Sequence, residues 1–148
     1  MAERSHILIV EARYYEAIAD EMARGAVGAL ESAGASFERI TVPGAFEIPA
    51  AVQMAVQTGV YDGYVALGCV IRGETTHYDY VCGESARGLQ DLAIRHAIAI
   101  GYGIITVENE AQAWDRARVD RQDKGGGASR ACLDMLALRR RFKIASRL

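Results

Sequence analysis

Residues 6–10, HILIV, form a short, almost unbroken apolar run, which predicts a strand covered on both faces. Ile18, Met22, Ala26, Ala29 and Leu30 follow at helical spacing, and Gly34 closes that helix. Residues 37–42 are more polar and predict a second strand nearer the sheet edge. The stretch VPGAFEIPAAVQMAVQTG then predicts a helix introduced by a Pro-Gly turn. Pro49 fits only a first helical turn, so this helix starts near Phe46 or Glu47. Residues 64–71, YVALGCVI, predict the third and most apolar strand. Residues 76–100 predict a long helix with Tyr78, Val81, Ser85, Leu89 and His96 on one face. Residues 103–107 predict a fourth strand. Two more helices are expected over 109–118 and 128–142, joined across DKGGGA as a flexible connector.

Strands alternating with helices imply βαβ units and a parallel sheet covered by helices on both sides. The expected fold is a small doubly wound, flavodoxin-like three-layer α/β sandwich. It has a four-stranded parallel sheet in the order 2-1-3-4, with residues 1–148 as a single domain. Ligands of such sheets bind beyond the carboxyl ends of the strands. That rule nominates the loops at residues 12–15, 43–47, 72–77 and 108–109.

Charge and cysteine content narrow the functional classes. The formal net charge is −2 and the pI about 5.9, so no overall field favours nucleic acid or an anionic membrane. The local run Arg139-Arg140-Arg141 suits a helix C-terminus, where cations complement the macrodipole. Cys69, Cys82 and Cys132 form no CxxC pair, which argues against a disulfide framework and a tetrahedral zinc site. No apolar run reaches membrane length and the N-terminus lacks a signal-peptide core, so a soluble cytoplasmic protein is expected.

The candidate chemistry lies in GCVIRGETTHYDYV, residues 68–81, where an apolar strand gives way to a polar turn. Thr76 stands three residues before Asp79, the spacing of a capping box, and the amides of residues 74–77 would lie at a helix N-terminus. Such amides with the positive dipole end make an anion site, although a plain helix cap suits the same pattern. His77 at that helix start could exchange a proton with a ligand held there. Arg116, after the fourth strand, could close on the same anion with its planar fork. Glu47 lies at the same edge, and a first-turn acid matched to its helix dipole is the competing reading. His96 is expected in the core, and His6 is expected to be structural. Tyr14 and Tyr15 could stack on a flat ligand or merely pack. The residues alone indicate a small α/β protein binding a phosphorylated or anionic planar compound, and no particular reaction.

Four segments carry a family resemblance: ARYYEAI at 12–18, VPGAFEIP at 42–49, GCVIRGETTHYDYVC at 68–82 and TVENEAQAWDRA at 106–117, with DKGG beyond. In these the chain resembles the lumazine synthases of riboflavin biosynthesis. The resemblance implies condensation of 5-amino-6-(D-ribitylamino)uracil with 3,4-dihydroxy-2-butanone 4-phosphate. The product would be 6,7-dimethyl-8-ribityllumazine, with phosphate and water released and neither cofactor nor metal used. Position by position, it implies that Tyr14 stacks on the pyrimidine and that Ala45, Phe46 and Glu47 hold the ribityl chain. Cys69, Val70 and Ile71 would present backbone groups to the uracil edge. Glu74 and Thr75, through their amides, and Arg116 would bind phosphate, and His77 would transfer protons.

Tyr102 matches a ligand-contacting aromatic of the family, yet it precedes the predicted fourth strand and should lie about 15 Å from its own site. It is therefore expected to reach a neighbour's site, with Lys124 assisting. The resemblance accordingly implies a homo-oligomer: a pentamer with active sites between subunits, in some members assembled into an icosahedral 60-mer. Riboflavin synthase is a candidate partner. Three departures from the family pattern stand out. Glu74 replaces a small residue beside the phosphate, Tyr14 and Tyr102 replace Phe or Trp, and Tyr15 replaces a small polar residue. Two rival readings are a non-catalytic paralogue, acting as a riboflavin-like ligand binder or assembly scaffold, and a receiver-type module. The latter lacks its acidic cluster, because Glu11 stands alone after the first strand.

Overall fold

In the structure, a computed structural model, residues 4–144 are described. Four parallel strands, β1 (His6–Ala12), β2 (Ser36–Val42), β3 (Gly63–Ile71) and β4 (Ala99–Val107), form one sheet in the order β2-β1-β3-β4. The helices of the described residues are α1 (Glu16–Ser32), α2 (Ile48–Val56), α3 (His77–His96), α4 (Glu110–Ala117) and α5 (Lys124–Arg141). A single 3-10 turn, Ala45–Glu47, leads into α2. The expected α/β architecture and strand order are both found.

The period of two in the strands divides the core. Ile7, Ile9, Val65 and Leu67 pack with Ile18, Met22, Ala113 and Leu136 of α1, α4 and α5 on one face. Leu8, Val10, Tyr64 and Ala66 pack with Ile48, Val52, Val81 and Leu89 of α2 and α3 on the other. His6 is structural, as expected. Its Nδ1 lies 2.8 Å from Ser36 Oγ and its ring stacks on Tyr61 with centroids 5.3 Å apart.

Several expectations need correction. The long helix ends at His96, and Ala97 at φ 50 breaks it, so β4 starts at Ala99 rather than at residue 103. The i, i+4 spacing ran on across that break because Ile100, four residues after His96, is an apolar residue of β4 packed against the core. Gly103, expected at the start of this strand, and Gly101 both lie within β4 under α5. A Cβ on Gly101 would stand 1.8 Å from the Ala128 carbonyl oxygen. The GGG at 125–127 is no flexible connector. It forms the first turn of α5, pressed onto α1 so closely that a Cβ on Gly125 would fall 2.1 Å from the Met22 carbonyl oxygen. His96 is half-buried rather than in the core.

The capping box is also absent. Thr76 is the N-cap residue of α3 but makes no side-chain cap bond; instead the His77 amide donates to Thr75 Oγ1 at 3.3 Å. With Thr76 already in helical φ and ψ, its hydroxyl is not presented to the following amides as an extended N-cap residue would present it.

Candidate active site

A cavity of about 540 Å³ opens at the carboxyl ends of β1 and β3, where the strand rule put it. Tyr14 and Tyr15 form one wall, the segment from Pro43 to Glu47 another, and Cys69, Val70 and Ile71 the floor. His77 and Val81 of α3 close the remaining side. Each wall has a local cause. Pro43-Gly44 ends β2 and sends the chain into the 3-10 turn, which presents Phe46 (56% exposed) and Glu47 outward while Ala45 and Ile48 go into the core. Pro49 then sits at the start of α2, where a missing amide costs nothing. Val81 lies one helical turn beyond His77, so the two share a face.

Tyr14 is 77% exposed over the cavity, and Tyr15 backs it in an edge-on contact with centroids 4.9 Å apart. Burial, with a smaller contribution from Glu110, pushes the Cys69 thiol up to about 11. It is therefore a neutral thiol at pH 7, unsuited to nucleophilic chemistry. The turn between β3 and α3 is braced from outside. Arg72 Nε donates to Glu108 Oε2 at 2.8 Å, and its guanidinium carbon lies 4.3 Å from the Tyr78 ring centroid. The β3–α3 and β4–α4 loops are thus tied together beside His77.

The cavity brings together Tyr14, Ala45, Phe46, Glu47, Cys69, Val70, Ile71 and His77. Glu74 and Thr75 are exposed on the adjoining turn and do not line it. Arg116 is half-buried on α4, and its Nη1 donates to the Gln112 carbonyl of its own helix at 3.1 Å. Lys124 is exposed at the start of α5. Tyr102 lies inside β4, opposite Ala66, rather than before the strand; it is 45% exposed in a groove with Ala86, Leu89 and Ile100 of the α3 side. Five residues still separate it from the strand's carboxyl end, about 16 Å, so the reason for excluding it from its own cavity survives the corrected boundary. The lining also takes in Ala12, Pro43 and Gly44, which lie in the nominated loops but were given no individual role, and Val81, which the sequence reading left out of the site. Val81 had a signal, its spacing from His77, but was absorbed into the core stripe.

Among known proteins, residues 4–140 match the family described as 6,7-dimethyl-8-ribityllumazine synthase. A 6,7-dimethyl-8-ribityllumazine synthase of Methylobacterium radiotolerans is 60% identical over 136 residues, 92% of this chain and 83% of the relative. One from Bartonella tribocorum is 57% identical over 143 residues, 96% and 95% of the two chains. A protein of Rhizobium meliloti named 6,7-dimethyl-8-ribityllumazine synthase 1 is 57% identical over 142 residues, 93% of each.

Proposed function

The chain belongs to the 6,7-dimethyl-8-ribityllumazine synthase family, and from that premise we propose how its residues divide the work. It is a transferase of riboflavin biosynthesis. It condenses 5-amino-6-(D-ribitylamino)uracil with 3,4-dihydroxy-2-butanone 4-phosphate to 6,7-dimethyl-8-ribityllumazine, releasing phosphate and water. It acts as a homo-oligomer on these small-molecule substrates. The observation that carries the division of labour is the single cavity lined by Tyr14, Phe46, Glu47, Cys69–Ile71 and His77, with Tyr102, Arg116 and Lys124 all outside it.

In this reading the pyrimidine stacks on Tyr14, the ribityl hydroxyls bond to Glu47 and the backbone at Ala45 and Phe46, and the uracil edge meets the backbone of Cys69, Val70 and Ile71. The butanone phosphate sits at the start of α3, against the amides of Glu74 and Thr75. The substrate's free amine attacks the ketone carbonyl; one water leaves as the imine forms, phosphate departs as an anion, and the ribityl-bearing nitrogen then closes the ring with loss of a second water. Fixed amides and Arg116 stabilise that departing charge without reorganising. His77, at the cavity edge, moves protons during imine formation and closure. Holding two substrates in register supplies the larger share, since orientation alone is worth roughly 7–11 kcal/mol.

Arg116, Tyr102 and Lys124 serve the cavity of a neighbouring copy. A head-to-tail contact would give every copy such a neighbour, and it makes a ring where its rotation closes. We take the ring to be a pentamer, able in principle to build a 60-mer shell, in the cytoplasm and with residues 1–148 as one domain. Riboflavin synthase, which consumes the lumazine, is the partner in this scheme. No helix among the described residues is long and apolar enough to cross a membrane. The scaffold or ligand-binder reading has no observation of its own in its favour. The test is to mix purified protein with both substrates and follow lumazine absorbance and fluorescence. Turnover above the spontaneous background is expected, and none from a folded oligomer would overturn the reading.

A further inference from the structure

Glu11 is 2% exposed at the end of β1, a carboxylate inside the protein next to the cavity loop. Arg39 of β2 grips it at two points, Nε to Oε2 at 2.6 Å and Nη2 to Oε1 at 3.0 Å. Arg13 Nη1 donates to Oε1 at 2.8 Å, and Arg13 Nη2 reaches on to Asp20 in α1. Two acids and two bases thus form a neutral chain from β2 through β1 and the loop to α1. A buried carboxylate so paired is costly to uncouple, which makes the arrangement rigid rather than merely cohesive.

Arg13 immediately precedes Tyr14, the exposed ring over the cavity. Apart from this chain of ion pairs, the loop is held by Tyr15, which packs partly buried against the core on the α1 side. Tyr15, the N-cap residue of α1, makes no side-chain cap bond, so the customary anchor of a strand-to-helix turn is missing. Tyr14 itself is supported only by the edge of Tyr15 among the ring contacts of the described residues. We infer that the Glu11–Arg13 pair, backed by Arg39 and Asp20, is a positioning device that sets the Tyr14 ring at stacking height over the pyrimidine. Glu11 and Arg13 touch no substrate. They act through Tyr14 alone, and so govern recognition of the pyrimidine while leaving the phosphate-bearing substrate unaffected. This rests on the reading of Tyr14 as the stacking residue.

The experiment is a double-mutant cycle on the full-length oligomer, with Arg13→Ala, Tyr14→Ala and the pair, plus Arg13→Lys and Glu11→Gln. Steady-state lumazine formation is measured with each substrate varied in turn. Arg13 is partly exposed, so Arg13→Ala is the variant expected to fold even where Glu11→Gln does not, and circular dichroism checks both. We expect Arg13→Ala to raise KM for the ribitylaminouracil about tenfold, with KM for the butanone phosphate within about twofold and kcat little changed. Arg13→Lys should recover part of that loss, and Arg13→Ala should add nothing on a Tyr14→Ala background. Equal increases in both KM values, or an undiminished Arg13→Ala effect without the Tyr14 ring, would overturn the inference. If Tyr14→Ala itself leaves the pyrimidine KM unchanged, the stacking reading fails instead, and the positioning role fails with it.

Discussion

The two faces of the sheet are built to different standards. On the α1/α5 face, seven of the 18 residues of α5 are buried, and glycines at 101 and 125 let backbones approach until no Cβ would fit. On the α2/α3 face, α3 buries only Val81, Ser85 and Leu89 of its 20 residues. Around it Tyr80 (67%), Ile94 (70%) and Tyr102 (45%) stand exposed. A helix whose apolar positions outnumber its buried ones has surface left for another contact. The first face is closely packed within one chain. The second leaves apolar surface that a neighbouring copy would cover under the proposed function, and Tyr102, proposed to serve the neighbour's cavity, lies on it.

That contrast can be broken from either side. The largest effect is expected from Gly101→Val, because the new side chain would strike the backbone of α5. It should cost at least the roughly 3 kcal/mol at the upper end of overpacking penalties, read as a collapse of the denaturation midpoint; an unchanged midpoint would show that α5 can shift. Ile94→Glu on the other face should leave the circular dichroism spectrum intact and move the protein to smaller species in sedimentation. Retention of the full oligomer would mean that this part of α3 faces solvent. Within the cavity, His77→Ala should slow lumazine formation by no more than about a hundredfold without abolishing it, since orientation survives. Complete loss of turnover in a folded, substrate-binding variant would make His77 indispensable.

The smallest effect separates the faces by pH. Burial pushes Cys69, at the cavity floor, up to about 11 and Cys132, on the buried side of α5, up to about 12. The folded state therefore holds these protons where the unfolded chain, near 9, has lost them. Their contribution to stability is complete below pH 9 and disappears as pH rises through the folded values. For the partly accessible Cys69 the loss is below about 1 kcal/mol after screening. Alkylation should reach Cys69 as the pH approaches 11 while Cys132 stays protected until unfolding; simultaneous modification would show the two faces equally open.

Strand order and the location of the cavity were legible because they follow from period-two burial and the strand-end rule, and both are properties of short segments. VPGAFEIP and RGETTH showed which loops matter for the same reason: Pro and Gly fix the chain locally. The boundaries that failed were decided by distant partners. The GGG at 125–127 looks like a connector in isolation and Gly101 carries no strand signal of its own; the α1 backbone against Gly125 and the α5 backbone against Gly101 explain why those two are glycine. Thr76 has the spacing of a cap, but the geometry that denies it the bond is set by the turn as a whole. Glu11 was read as a lone acid, and its partners at residues 13, 20 and 39 meet only in three dimensions. Arg116 was expected at the anion site beside His77 and does not line the cavity of its own chain, whereas Lys124 was expected at a neighbour's.

The claim that the site is shared between copies is tested most directly by complementation. A Tyr14→Ala/His77→Ala chain and an Arg116→Ala/Tyr102→Ala chain, each severely impaired alone, would be unfolded together and reassembled in equal amounts. If one copy supplies the cavity and the next supplies Arg116 and Tyr102, random mixing in a head-to-tail ring restores about one quarter of the sites to wild-type composition. Recovery of about that fraction of wild-type lumazine formation is the predicted result. Activity no higher than the average of the two separate variants, in oligomers shown to contain both chains, would contradict a shared site.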